Sequence, residues 1–115
     1  HFFATFVLDG PATQNITLTN WTRGPANFSN NETPARIEIN KPSATVNFYG
    51  NFDNSANYSN PYNVSSLNIV NGTVNMDPSS VIAVKTLTLS AGTTLNRNGA
   101  PLGYSVLSGT GTINP

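Results

Sequence analysis

A short pattern recurs along the C-terminal part of this chain, and it constrains the fold more than any other feature. A glycine is followed by polar, apolar and polar residues in four segments: GNFD (50–53), GTVN (72–75), GTTLN (92–96, with one Thr inserted) and GTIN (111–114). Their glycines recur at intervals of about twenty residues. Repetition at a period of this order is typical of solenoid folds, in which each repeat stacks on the previous one.

Apolar and polar residues also alternate with the period of a β-strand. Pairs of apolar residues flank a single polar residue at 16–18, 37–39, 46–48, 67–69 and 87–89. This alternation places the apolar groups on one face of a strand. Helical spacing of apolar residues is not sustained in any window, and Gly and Pro are scattered throughout. The sequence therefore predicts an all-β protein.

Together the two patterns predict a β-solenoid (β-helix) built of coils of about 20 residues. In such a fold the glycines occupy turns with positive φ, and Leu, Ile and Val stack inward as ladders. Asn75, Asn96 and Asn114 would stack at equivalent corners and hydrogen-bond along the axis. The alternative is a β-sandwich or jelly roll completed by a donated N-terminal strand, because successive hairpins also produce alternation with glycine turns.

A single domain spanning 1–115 is predicted, with 1–11 as an apolar strand and hinge and 44–115 as the repeat body. The strand is apolar on both faces and so requires burial on both faces. It is predicted either to cover the end of its own subunit or to insert in a neighbouring subunit. Its assembly residues are Phe2, Phe3, Ala4, Phe6, Val7 and Leu8. The last residues still follow the repeat pattern, so we expect either a longer repeat array or subunits joined end to end.

Charge and composition restrict the partners. The chain has five cations and five carboxylates and no cysteine, which argues against nucleic acid and against a disulfide framework. No apolar stretch is long enough for a membrane-spanning helix. The polarity comes from 18 Asn, 14 Thr and 11 Ser, a composition suited to turns and exposed strands. Since the numbering begins at His1 and not at Met, we expect that residues were removed upstream, either as a secretory signal or by trimming of the chain. The composition suits an outside surface, and we expect an extracellular or cell-surface location.

Asparagine in the N-x-S/T context suggests covalent N-glycans as a solubilising coat. The seven acceptor positions are Asn15, Asn20, Asn27, Asn31, Asn57, Asn63 and Asn71. They exceed the number expected from composition alone. The competing interpretation is that these sites reflect a composition rich in Asn and Thr and are never glycosylated.

Aromatic residues cluster in the middle of the chain and could stack on a sugar. The candidates for such a platform are Trp21, Tyr49, Tyr58 and Tyr62. Phenylalanines of the same region, Phe48 and Phe52, more often fill a core.

Catalysis and metal binding are not predicted. Of the carboxylates, only Asp53 and Asp77 follow turns that the repeat would make equivalent, so only they could approach across coils to form an acidic pair. His1 is the only histidine, which leaves a serine triad or a histidine-clamped metal without a second partner. We therefore expect no cofactor, no metal and no enzymatic activity.

The segments LNIVNGTVNM, LTLSAGTTLNRNG and VLSGTGTINP resemble the repeats of right-handed β-helical surface proteins, including adhesins and autotransporter-type passengers. The resemblance covers 44–115 and implies an extracellular, elongated body used for display or adhesion. The expected function is a subunit of a self-assembling, pilus-like glycosylated fibre or surface layer, joined to its neighbours by strand pairing. The alternatives are an adhesin or carbohydrate-binding module and a polysaccharide-degrading β-helical enzyme.

Overall fold

The alternating segments form strands in a computed structural model, which describes residues 5–22, 36–53, 55, 59 and 65–115. Strands account for nearly all of the regular structure, and no α-helix occurs among these residues, which confirms the all-β prediction. The eight strands are β1 (Thr5–Asp9), β2 (Gln14–Thr22), β3 (Arg36–Asp53), β4 (Ser66–Met76), β5 (Val81–Leu89), β6 (Thr94–Asn96), β7 (Leu102–Gly109) and β8 (Thr112–Asn114).

Every strand pair among the described residues is parallel. The pairs form three stacks, in which each segment lies on an earlier segment of the chain. The first stack contains 5–9, 36–40, 66–69, 86–89 and 106–109. The second contains 14–16, 46–48, 74–76, 95–96 and 113–114. The third contains 21–22, 52–53, 82–83 and 102–103.

Long strands pass from one stack to the next. β3 contributes to all three and pairs with four other strands. The stack to which it contributes changes near Ser43 and again near Gly50, both of which have positive φ. A single strand can therefore supply several sides of the body, because such residues bend it without ending it.

The apolar residues of the alternating pairs line one continuous core. In the first stack, Ile37, Leu67 and Leu87 lie opposite one another and are at most 3% exposed. The second and third stacks add further columns to the same cluster, among them Val46 with Val74 and Phe52 with Ile82. Burial of each such side chain stabilises the fold by about 1.5–3 kcal/mol. The Cα radius of gyration, 13.3 Å, is that of a compact chain of this length.

The register differs from the one that the glycines predict. Asn47 lies opposite Asn75, so GTVN (72–75) matches ATVN (44–47), and the predicted equivalence of GTVN with GNFD (50–53) is wrong. Successive layers of the second stack are separated by 32, 28, 21 and 18 residues. An interval of about twenty therefore describes only the last layers, because the earlier ones contain longer connections.

Two glycines illustrate why the glycine pattern misled. Gly50 has φ 95°, and a Cβ there would lie 2.0 Å from the carbonyl oxygen of Leu18 in the layer below. Gly111 does not have a positive φ; a Cβ there would lie 2.6 Å from Leu89 Cβ. Glycine is needed at position 50 because the backbone has a positive φ and passes close to Leu18. At position 111 glycine is needed only because the backbone passes close to Leu89. The two therefore share a residue type but not a structural position.

Candidate functional site: an asparagine ladder and two open sheet ends

A Thr-x-Asn sequence occupies the same place in every layer of the second stack. The five copies are TQN (13–15), TVN (45–47), TVN (73–75), TLN (94–96) and TIN (112–114). Sequence reasoning identified only the last three asparagines, because it aligned the glycines. The Thr-x-Asn repeat itself is the signal that would have found the other two.

The five asparagine side chains form one hydrogen-bonded column, which we call the asparagine ladder. In each step the Nδ2 of the later residue donates to the Oδ1 of the earlier one. The distances are 3.0 Å from Asn47 to Asn15, 3.5 Å from Asn75 to Asn47, 2.7 Å from Asn96 to Asn75 and 2.8 Å from Asn114 to Asn96. The predicted stacking of Asn75, Asn96 and Asn114 is confirmed.

The ladder has a direction, so its two ends differ chemically. At one end Asn15 accepts a hydrogen bond through Oδ1, and its Nδ2 has no partner among the described residues. At the other end Asn114 donates through Nδ2, and its Oδ1 has no partner in the same part of the chain. One end therefore presents an amide donor and the other an amide acceptor.

The strands at the first end form what we call the N-terminal face. Within the described ranges, β1 and β2 pair with β3 alone, so their other edges carry no strand. Phe6 and Val7 are 45% and 51% exposed, and Leu8 is partly buried against the core. This half of the predicted assembly strand thus lies on its own chain along one edge. Phe2, Phe3 and Ala4 lie outside the described residues.

The strands at the opposite end form the C-terminal face. In the described part of the chain, β7 pairs with β5 alone and β8 with β6 alone. Tyr104, Val106 and Leu107 are 39%, 48% and 48% exposed. Large apolar side chains beside an unpaired strand edge are a template for further strand pairing. Among the described residues, both faces thus combine exposed apolar side chains with an outer strand edge on which no further strand lies.

Two of the seven predicted glycan acceptors have described side chains, and both are exposed. Asn15 ends the asparagine ladder, as above. The Nδ2 of Asn71 donates to Asn40 Oδ1 at 2.7 Å. The backbone of Asn20 lies in β2, and nothing is described of its side chain. The remaining acceptors, Asn27, Asn31, Asn57 and Asn63, lie outside the described residues.

Only one aromatic residue of the predicted sugar platform has a described side chain. Tyr49 is 40% exposed and lines an open surface pocket together with Asn47, Asn75, Asp77 and Asn98. This pocket combines a ring with several amides, a combination that suits a carbohydrate. The backbone of Trp21 pairs with that of Phe52 in the third stack. Tyr58 and Tyr62 lie outside the described residues.

The two carboxylates that the repeat pattern aligned belong to different places. Asp53 lies opposite Ala83 in the third stack, whereas the backbone of Asp77 bonds to Phe48 beside the second. Asp53 accepts hydrogen bonds from Ser55 and Asp77 from Ser79. The Ser79 hydroxyl and then its backbone amide hold the pKa of Asp77 below the usual value. The predicted equivalence of their turns is therefore wrong, and each carboxylate closes its own turn.

Lys41 is a residue that sequence reasoning missed. Its side chain is fully buried, and Nζ donates to the backbone oxygen of Asp9 and to Gln14 Oε1, both at 2.7 Å. These bonds tie the connection between β1 and β2 to β3. The sequence around Lys41 gives no signal of such burial, because lysines are almost always exposed.

The remaining observations do not assign a function to the chain. Within the described ranges, no group of His, Cys, Asp and Glu is arranged to hold a metal ion; His1 lies outside them. The same residues include no helix long and apolar enough to cross a membrane. No family model, curated protein or solved structure matches this chain.

Proposed function

We propose that this chain is a β-solenoid that serves as the subunit of a self-assembling extracellular fibre or surface layer. Its role is structural and not catalytic, and neighbouring subunits join by parallel strand pairing. N-glycans cover its sides on exposed asparagines such as Asn71, whereas Asn15, at the end of the asparagine ladder, stays unmodified. The supporting observation is the pair of faces, each with apolar side chains beside strand edges that have no partner among the described residues.

Parallel pairing supports the solenoid over the sandwich. Sandwiches and jelly rolls are built from antiparallel strands, whereas each pair described here is parallel. A solenoid also accounts for the ladder, since equivalent residues of successive coils stand about 4.8 Å apart. Side-chain amides at that spacing can bond along the axis.

The edges favour assembly because natural solenoids usually cover their ends with a cap. Charged residues are the common protection of an edge strand, yet the exposed residues of the two faces include Phe6, Val7, Val106 and Leu107. Pairing with another copy would cover these side chains and satisfy the backbone groups beside them. A lone subunit leaves these four side chains between 45% and 51% exposed.

Sedimentation from micromolar to millimolar concentration, followed by electron microscopy, tests the proposal. We expect polymers whose length rises with concentration. Deletion of residues 1–9 removes β1 and should abolish the fibres. Val7→Lys should weaken them, because a charge at an edge opposes pairing, while Thr88→Lys, in an inner layer of the same column, is the matched control. A chain that stays monomeric at millimolar concentration contradicts the proposal.

A carbohydrate-binding module is the second candidate, and the pocket beside Tyr49 favours it. A glycan array with the unmodified chain and Tyr49→Ala tests this alternative. Loss of binding in the variant supports a sugar site in the pocket. Tyr104→Ala is a suitable control, since Tyr104 is similarly exposed but lies in the C-terminal face.

A further inference from the structure

We infer that copies of this chain stack head to tail, the C-terminal face of one on the N-terminal face of the next, in a single register. In that register the asparagine ladder continues across the junction, from Asn114 of one copy to Asn15 of the following copy. The inference rests on the proposed self-assembly and adds its polarity and its contacts.

The direction of the ladder selects this arrangement. Every step inside the chain runs from a later Nδ2 to an earlier Oδ1. Asn15 presents Nδ2 at one face and Asn114 presents Oδ1 at the other. Two N-terminal faces would oppose donor to donor, and two C-terminal faces acceptor to acceptor. Only unlike faces allow the bond from Asn15 Nδ2 to Asn114 Oδ1.

The first stack supports the same register independently. Phe6 and Leu107 are the outer members of the column that contains Ile37, Leu67 and Leu87. The inner members are at most 3% exposed, while the outer two are 45% and 48% exposed. Head-to-tail stacking places Leu107 of one copy beside Phe6 of the next, which continues the buried column.

Strand geometry makes the register unique. In the first stack, Val7 and Ser108 are the outer members of the neighbouring column, which faces away from the core. A slip by one residue between copies would place Phe6 opposite Ser108, so that a side chain of the core column meets one that faces away from the core. It would also separate Asn114 from Asn15. Both stacks therefore require the same alignment.

Disulfide trapping tests the alignment, and the absence of native cysteine makes the result specific. In Val7→Cys/Ser108→Cys, the two cysteines of adjoining copies would have Cα atoms about 4.8 Å apart, within the range that a disulfide bridges. Both sites face away from the core, so the apolar columns and the ladder are kept. We expect mild oxidation to give a regular series of covalent oligomers on a non-reducing gel.

Matched variants distinguish the alternatives. Thr5→Cys/Ser108→Cys moves one cysteine two residues along β1, about 7–8 Å from its target on the diagonal, and should give no oligomers. Covalent dimers from Val7→Cys alone or Ser108→Cys alone would show like faces in contact and overturn head-to-tail stacking, while leaving self-assembly intact. A non-assembling unmodified chain would instead overturn the proposed function itself.

Asn15→Asp tests the ladder bond. The carboxylate keeps an acceptor for Asn47 Nδ2 but replaces the donor that faces Asn114 with a second acceptor. We expect association at pH 7 to weaken at least about tenfold, and to recover near pH 3, where an aspartic acid is protonated and can donate. Thr88→Asp adds the same charge in the first stack, outside the ladder and one layer inside the C-terminal face, and should stay within about twofold of the unmodified chain. Equal association of Asn15→Asp and Thr88→Asp at pH 7 would overturn the continued ladder.

Discussion

The asparagine ladder should stabilise the fold in proportion to the hydrogen bonds that each member makes. Asn96 makes two short bonds, donating to Asn75 at 2.7 Å and accepting from Asn114 at 2.8 Å. A net contribution of 0.5–1.5 kcal/mol per hydrogen bond gives about 1–3 kcal/mol for the loss of both. Asn96→Ala should therefore lower the free energy of unfolding by that amount. Asn114→Ala removes one bond and should cost about 0.5–1.5 kcal/mol.

Urea unfolding at a concentration where the chain is monomeric measures these changes, with an unchanged m-value as the sign of an unaltered unfolded state. Asn68→Ala is the matched control, because Asn68 is a strand asparagine in the first stack, outside the ladder. It should shift stability by no more than about 0.5 kcal/mol. A double-mutant cycle between Asn75→Ala and Asn96→Ala should give a coupling of about 0.5–1.5 kcal/mol. Coupling near zero, or equal effects of Asn96→Ala and Asn68→Ala, would refute the reasoning.

Three further predictions concern the turns and the buried lysine. Gly50→Ala should destabilise the fold more than Gly92→Ala by at least about 1 kcal/mol in urea unfolding, since both have positive φ but only Gly50 lacks room for a Cβ. Lys41→Met should cost about 1.5–3 kcal/mol in the same assay, because it removes the charged donor of two part-buried hydrogen bonds. The lowered pKa of Asp77 contributes stability above the unfolded-state pKa, near 3.9, and that stability is lost as pH falls through the lower folded-state value. Asp77→Asn should therefore reduce the loss of stability on the acid side of that unfolded-state pKa when thermal unfolding is followed against pH, and an unchanged profile would contradict this.

Pattern-based prediction succeeded where the cause is local. Alternation at Ile37 and Ile39 follows from the geometry of any strand, and both residues are buried. It failed where the cause is a contact between distant segments. The glycine at 50 and the glycine at 72 look equivalent in sequence, yet Gly50 lies opposite Leu18, and Gly72 lies against Lys41 and Ala44.

The candidate site follows the same division. The last three asparagines of the ladder could be predicted, since their layers are only 21 and 18 residues apart. Asn15 and Asn47 escaped prediction because the first layers contain longer connections. The exposed state of Phe6 and Leu107 could not be predicted either, because each belongs by type to a buried column.

By itself the sequence determined that the chain forms strands, which faces of them are apolar and where several turns occur. These properties depend on the backbone preferences and side-chain alternation of neighbouring residues. Only the tertiary structure decided which strand lies on which, and with it the direction of the asparagine ladder, the burial of Lys41 and the identity of the two exposed faces. The physical reason is that parallel pairing joins segments 18 to 32 residues apart, through connections whose lengths no local preference sets.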